Sequence, residues 1–417
     1  MLVLAYFAEP RLVGIYGLAV VCLLLVQSAG DSAVRQIAVL AIKSSEGRQF
    51  LRRYRVIAGS MGCIFILIIA FAIYYVYRGK VPDQSLYALF TLSVIPVFQA
   101  SRVFGLAELQ LSGQWRRLAS YQLLASIVSF AFGFVILLLT RSLIAPCIQM
   151  VLAEGLFASA CIFRRPGKYL GDSTGEHSFP AGGGRHAKQE HFARSEFWSM
   201  STYSILGWGQ IQSDRLLMGF SAGPAVLGSY SVASAISRSG GDAAAMSSAN
   251  ILRSSMANSN EYESRAIEKL LLRGLVVVLV AVILSVALSE IFVRRLLSAE
   301  WSASVDVVPV LALGSIPAYL AWNTTVVLVV SGQANRALPA KLLGVFLSVG
   351  VAFGAAHSLA LAAVLAVSRD AIVCLLTLIP ARKLIPKRVL WSCLLAFSVG
   401  AVASVCLLLV GGEDWSM

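Results

Sequence analysis

Gly62-Cys63-Ile64-Phe65-Ile66-Leu67-Ile68-Ile69-Ala70-Phe71-Ala72-Ile73-Tyr74-Tyr75-Val76 is the stretch on which the fold turns. It carries no charge, and its apolar residues run on without the one-in-two alternation of a membrane barrel strand. Leu275–Leu288 reads the same way. The hydrocarbon core holds no water, so a chain there must satisfy its own backbone hydrogen bonds, as a helix or a closed barrel. The missing alternation selects helices. The apolar block around the first stretch extends over 56–77, and about 20 residues of helix cross a core of about 30 Å.

Similar blocks recur along the chain. Spans are expected near 12–29, 56–77, 84–101, 118–140, 143–163, 197–219, 225–244, 274–293, 304–330, 340–357, 358–379 and 389–410. Of 417 residues, 58% are hydrophobic and 13% charged, at a mean hydropathy of +0.78. Soluble proteins carry about 25% charged residues, so polar surface is too scarce here for a water-soluble domain. The fold class is an all-α polytopic membrane protein with about 12 transmembrane helices. The 197–219 and 225–244 blocks are rich in Ser, Gly and polar side chains. Such helices span where they face a cavity or other helices.

The basic residues orient this layout. Counted in alternate loops from 30–55 onward, Lys and Arg number 26 on one side and six on the other, with Arg215 and Arg369 inside spans. The rich side is cytoplasmic by the positive-inside rule. The net charge of +13 therefore reads as topology in the cytoplasmic membrane rather than as nucleic-acid binding, and the amino terminus falls outside. A signal peptide over 1–30, cleaved near Ser28-Ala29-Gly30, is the competing reading. Arg11 alone would serve as its basic region, and six basic residues follow the apolar run. The seven cysteines lie in apolar segments without CxxC spacing, which supports neither a disulfide framework nor a zinc site. No cofactor is expected.

Two segments match at an offset of 214 residues: Ala8-x-Pro10-x-x-x-Gly14-x-Tyr16-x-x-Ala19 and Ala222-x-Pro224-x-x-x-Gly228-x-Tyr230-x-x-Ala233. Pro and Tyr are scarce, with 12 and 13 copies, so their joint match carries the weight. Both copies open a span running from outside to inside. The repeats are thus parallel, as in transporters whose halves are related by an axis along the membrane normal. A span precedes the second copy and only seven residues precede the first, so by symmetry one helix is missing from the front. The expected domains are an N-terminal bundle over 1–163, a linker over 164–196, a C-terminal bundle over 197–379 and an additional helix in 380–417. The linker holds Gly171-Asp172-Ser173-Thr174-Gly175 and Gly182-Gly183-Gly184. It cannot bury a core and reads as a flexible cytoplasmic segment.

Phe197-Trp198, Asp214-Arg215-Leu216-Leu217-Met218-Gly219, Gly223-Pro224, Leu227-Gly228 and Tyr230-Ser231 follow one another in the second half. This resembles the polysaccharide-export flippases, the O-antigen and teichoic-acid type translocases of the multidrug/oligosaccharidyl-lipid/polysaccharide superfamily. Their second half opens with an aromatic pair, then D-x-x-x-x-G and G-x-Y-S. Val13-Gly14-Ile15-Tyr16-Gly17 looks like the matching element of the first half. Leu296–Trp301 and Gly332-Gln333-Ala334-Asn335-Arg336 are similar to later family segments, so the resemblance covers most of the chain. It departs from the family at the front, where the first helix is absent. The resemblance implies two bundles around a central cavity. The implied substrate is an oligosaccharide on polyprenyl pyrophosphate, moved to the outer leaflet for surface polysaccharide synthesis with no bond made or broken. The protein would then be a transporter and not an enzyme. Its expected partners are the lipid-linked oligosaccharide and membrane lipid, with a polysaccharide polymerase or ligase as a candidate.

A charge at the membrane centre costs about 2.5–3.5 kcal/mol on insertion scales. Arginine in a wet cavity offsets that cost for a pyrophosphate, because its planar fork pairs with phosphate oxygens. Arg35, Arg102, Arg238 and Arg253 are the candidates; the competing reading for each is an anchor that snorkels to lipid head groups. Arg35 follows Asp31 by four residues and Arg238 precedes Asp242 by four, both at helical pairing distance. Asp214, Arg215, Glu154, Arg369 and Asp370 are candidates for a gate or ion coupling, against a structural contact. Adjacent residues on a helix do not face each other, so Asp214 and Arg215 are expected to take different partners. Arg369-Asp370, mid-span, is expected to face protein or water.

His177, His186 and His191 fall in the linker without cysteine neighbours or HExxH spacing, and read as solvated rather than metal-bound. Gly171–Gly175 fits G-x-S-x-G and Gly182–Ala187 fits a loose G-x-G-x-x-A, but neither follows a predicted strand. Three other functions compete with the flippase: a multidrug exporter of the same superfamily, a membrane polysaccharide-assembly enzyme, and a scaffold. Excess cationic charge argues against a cationic drug. The 78–83 loop, with Asp83 its only acid, is short for a catalytic outer loop.

Overall fold

The computed structural model describes residues 2–28, 45–112, 114–163, 194–258, 264–331, 333–382, 385, 387–395 and 397–398. Among them the only β pairing is an isolated bridge between Arg78 and Val81. The helices are α1 (Leu2–Phe7), α2 (Pro10–Gln27), α3 (Ser45–Tyr77), α4 (Asp83–Phe90), α5 (Ile95–Leu111), α6 (Trp115–Thr140) and α7 (Ile144–Phe163). Then follow α8 (Arg194–Ser221), α9 (Pro224–Asn258), α10 (Ser264–Leu288), α11 (Val308–Leu313), α12 (Ser315–Val330), α13 (Leu338–His357) and α14 (Leu359–Ala381).

Local sequence sets the joints. Pro10 and Pro224 open α2 and α9, where a missing amide hydrogen costs nothing and the fixed φ suits a helix. Gly223 separates α8 from α9 at φ +90°, and its amide donates to the Met218 carbonyl over 3.2 Å, capping α8. The Ser358 hydroxyl accepts from the Leu361 amide at 3.1 Å and starts α14. Two expected spans are irregular, and one of them is bent. The 84–101 block carries a 3₁₀ turn at Thr91–Val94, and the 304–330 block bends by 42° at Gly314. Pro96 and Pro317 cannot donate to the carbonyls four residues earlier, which frees the backbone at both places.

Among the described residues, eight helices are long and apolar enough to cross a membrane, or nine with the bent pair as one span. The 28-residue α8 and 35-residue α9 are long enough but more polar; they are the two blocks whose composition stood out in the sequence. The 389–410 block lies mostly outside the described residues, as do Arg35 and the segment 164–193.

The chain packs as two compact units, residues 19–208 and residues 1–18 with 209–417. The division runs through α2 and α8. In the 19–208 unit, α5 packs on α3 and α7, and α6 packs on α7. Leu106, Leu109, Ala125, Phe157 and Cys161 form a buried cluster there. Gly105 lets α5 approach the Cys161 carbonyl of α7; a Cβ at Gly105 would lie 2.8 Å from that carbonyl carbon.

In the second unit α9 packs on α10 and α12, and α14 on α12 and α13. Tyr319 is fully buried and its hydroxyl donates to the Leu271 carbonyl at 2.7 Å. Gly274 leaves room for that ring. The front of α2 joins this unit through the repeat. A Cβ at Gly14 would lie 3.0 Å from the Gly228 amide nitrogen, and one at Gly228 2.9 Å from that of Gly14. The carbonyl oxygens of Pro224 and Pro10 are nearer still. The two copies of the repeat thus cross backbone to backbone, each glycine under the other copy's proline, a separation that only glycine permits.

Candidate functional site

The polar helices α8 and α9 converge with α13 and α14 on one run of alternating charges. Asp214 of α8 is 2% exposed and Arg369 of α14 is 3% exposed. Arg369 Nη1 reaches Asp214 Oδ2 at 3.0 Å and the Ser348 hydroxyl of α13 at 3.0 Å. The other edge of the same guanidinium grips Asp370, with Nη2 at 3.0 Å and Nε at 3.1 Å from Oδ1. Asp370 Oδ2 then accepts from Arg238 Nη1 of α9 at 2.7 Å. Arg238 Nη2 lies 3.8 Å from Asp242, which is the solvent-facing end of the run. Tyr230 closes the buried end, its hydroxyl donating to Asp214 Oδ2 at 3.2 Å.

Arg369 therefore donates to two carboxylates and a hydroxyl from three helices, a use of the planar fork that lysine cannot copy. Charge-assisted bonds of this kind are the strong ones. They are needed, because charges so far from water are expensive unless fully paired.

Four sequence candidates meet here: Asp214, Arg369 and Asp370, expected as a gate or ion site, and Arg238, expected as a pyrophosphate ligand. Arg215 stands apart. Its backbone amide donates to Asp214 Oδ1 at 2.7 Å, while its guanidinium donates to the Ser234 hydroxyl at 2.7 Å. The side-chain charges of that adjacent pair do take different partners. Arg369 and Asp370 are equally adjacent yet do pair, because a long guanidinium can fold back along the helix. Arg238 also favours a distant residue, Asp370, over Asp242 one turn away.

Glu154 and Arg102 sit in the other unit and pair with each other, α7 to α5. The Arg102 guanidinium also lies 4.8 Å from the Phe157 ring centroid, a cation–π contact in a buried setting. Glu154→Gln removes the carboxylate that Arg102 bonds across the two helices. A loss of about 1.5–3 kcal/mol is expected, seen as a lower unfolding midpoint of the purified protein in detergent. Arg253 lies on α9, with its side chain outside the described part of the structure.

Tyr230 and Ser348 belong to the run and Ser234 to the neighbouring Arg215; none of the three was among the site candidates read from sequence. Tyr230 had a signal, as the tyrosine of the second repeat copy. Ser234 had none, because serine is common in α9, and Ser348, the one serine of α13, carries no charge or spacing that would mark it. A second buried polar cluster ties α9 to α12: Asn323 Nδ2 donates to the Ser248 hydroxyl at 3.0 Å and to the Tyr319 carbonyl at 2.8 Å.

The sequence model of the family described as "Polysaccharide biosynthesis protein" matches residues 3–306. Two solved structures share the fold. One is a multidrug resistance MATE family transporter of the MOP superfamily in an inward-facing conformation. It has 12% identity and a TM-score of 0.62 over 97% of this chain and 94% of that one. The other is the lipid II flippase MurJ in an inward closed conformation. It has 13% identity and a TM-score of 0.63 over 100% of this chain and 91% of that one. No curated protein sequence matches the chain.

Proposed function

Because the chain belongs to the polysaccharide biosynthesis protein family, we propose that it is a flippase. It moves a polyprenyl-pyrophosphate-linked oligosaccharide across the cytoplasmic membrane for surface polysaccharide assembly. The family match over residues 3–306 carries this reading, and the fold shared with a lipid II flippase supports it. Moving such a substrate between leaflets makes and breaks no bond, so the chain acts as a transporter.

The charged run supplies a working part. Ionisable side chains within spans are costly and mark pathways and gates. Arg238 is the member with both a buried partner, Asp370, and a partly exposed side chain. Its Nε is buried and has no hydrogen-bond partner among the described atoms, an unmet donor that a phosphate oxygen satisfies once the side chain swings out. In this reading Arg238 exchanges Asp370 for pyrophosphate as the substrate passes, and Asp370 keeps its contacts to Arg369, which it shares with Asp214.

The test is complementation of a strain lacking its own oligosaccharide-lipid flippase. The chain restores surface polysaccharide, Arg238→Gln does not, and Arg238→Lys does so in part. A membrane-inserted chain that restores none, yet raises resistance to toxic cations, would transfer the assignment to drug export.

A further inference from the structure

α3 has 33 residues, about 50 Å at 1.5 Å per residue. That is well beyond the 30 Å or so that a hydrocarbon core requires. Its uncharged part is 56–77, about 33 Å long. Arg52, Arg53 and Arg55 come immediately before it and are exposed. α6 repeats the arrangement. Its uncharged part is 118–140, about 34 Å long, and Arg116 and Arg117 come immediately before it, both exposed.

The surfaces below these arginines are open and apolar. Val56 is 63% exposed and Ile57 56%, each one turn along α3 from Arg52 and Arg53. Leu123 and Leu124 are 61% and 59% exposed, two turns along α6 from Arg116 and Arg117. With the uncharged parts spanning the hydrocarbon core, each group would stand at head-group depth, above an exposed apolar face. Counted in alternate loops, both groups fall on the basic-rich side of the membrane.

Helix stability does not account for the two arginines of α6. Arg116 and Arg117 occupy the first turn of α6, which holds no acid. Cations there oppose the helix dipole. The contact recorded for Arg117 is neutral, Nη1 donating to Gln114 Oε1 at 2.8 Å. An external anion would offset both the dipole and the mutual repulsion of neighbouring arginines.

We propose that Arg52, Arg53, Arg116 and Arg117 form a belt on the 19–208 unit that binds the phosphates of anionic phospholipids in the cytoplasmic leaflet. A phospholipid fits better than an acidic soluble protein, because the helix faces that carry Arg52, Arg53, Arg116 and Arg117 continue directly into exposed apolar surface. One molecule can then satisfy both, phosphate at the arginine and acyl chain along the helix. The inference does not depend on what the chain transports.

The full chain, purified in a neutral detergent, is offered equal phosphatidylglycerol and phosphatidylcholine, and retained lipids are counted by native mass spectrometry. Phosphatidylglycerol is expected to be preferred. Each arginine near a charged surface contributes about fivefold, so Arg52→Gln with Arg116→Gln lowers the preference about 30-fold. Arg52→Lys with Arg116→Lys keeps most of it. Two substitutions leave most of the 26 basic residues of that side in place, so orientation is kept. Should the Gln pair not accumulate, the unmodified chain decides: its preference falls as salt is raised during loading, because exposed charges are screened. Equal retention of the two lipids, a Gln pair that keeps the preference, equal loss in the Gln and Lys pairs, or indifference to salt each overturns the belt.

Discussion

Arg369→Met is expected to destabilise the protein by about 3–5 kcal/mol, the cost of breaking a buried ion pair from one side. Two carboxylates lose their shared counter-charge at once. Asp214 and Asp370 are 2% and 7% exposed, so water does not replace the guanidinium. Asp370 keeps Arg238 at 2.7 Å, whereas Asp214 keeps, among the described residues, the Tyr230 hydroxyl and the Arg215 amide. The damage therefore concentrates at Asp214, and adding Asp214→Asn restores part of the loss. Unfolding midpoints of the two single variants and the double variant in detergent close a double-mutant cycle. Losses that simply add would mean that Arg369 and Asp214 are not coupled, and the run of charges would not be a unit. Arg369→Lys should fall between, retaining the charge but not the three-way contact to Asp214, Asp370 and Ser348.

Gly14→Ala and Gly228→Ala are each expected to cost about 1–3 kcal/mol, as overpacking does, and to do so against backbone rather than yielding side chains. A methyl group at either glycine meets a proline carbonyl of the opposite copy. Gly17→Ala is the internal control: its nearest neighbour would be the Ser231 hydroxyl at 3.4 Å, ordinary contact. The two contacts share one crossing, so separating the helices relieves both. The double variant should then lose less than the sum of the singles. Midpoints for the four proteins check this. A Gly14→Ala protein as stable as Gly17→Ala would remove the crossing from the account of the fold.

How much of this was legible in the sequence differs from feature to feature, for physical reasons. Helix type and the general run of spans follow from uncharged blocks such as 56–77, because the bilayer imposes length and backbone pairing before any tertiary contact forms. The repeat also showed at the level of residues, and the crossing explains its spacing: Pro opens each helix, Gly admits the partner backbone, and Tyr230 reaches Asp214. The 3₁₀ turn before Pro96 and the bend before Pro317 lay inside apolar blocks that invited a straight reading. The charged run was legible only as members. Asp214 and Arg369 are 155 residues apart, Arg102 and Glu154 are 52 apart, and no local spacing encodes such pairings. Helical spacing even misdirected the choice for Arg238, which prefers Asp370 to its own neighbour Asp242.

The link between Asp214 and Arg369 has a consequence for how the chain is made. α8 leaves the ribosome long before α14 exists. Translation at about 5–20 residues per second puts roughly 10–30 s between the synthesis of Asp214 and that of the arginine 155 residues later that neutralises it. For that interval a carboxylate destined for a dry interior must wait at the insertion machinery or in the membrane, held by Tyr230, the Arg215 amide and whatever water follows it. The first half of the second unit is thus an unfinished product by design of its charges. Its capture by insertion factors or membrane proteases in that window should set the yield of the protein in cells as much as the stability of the finished fold does.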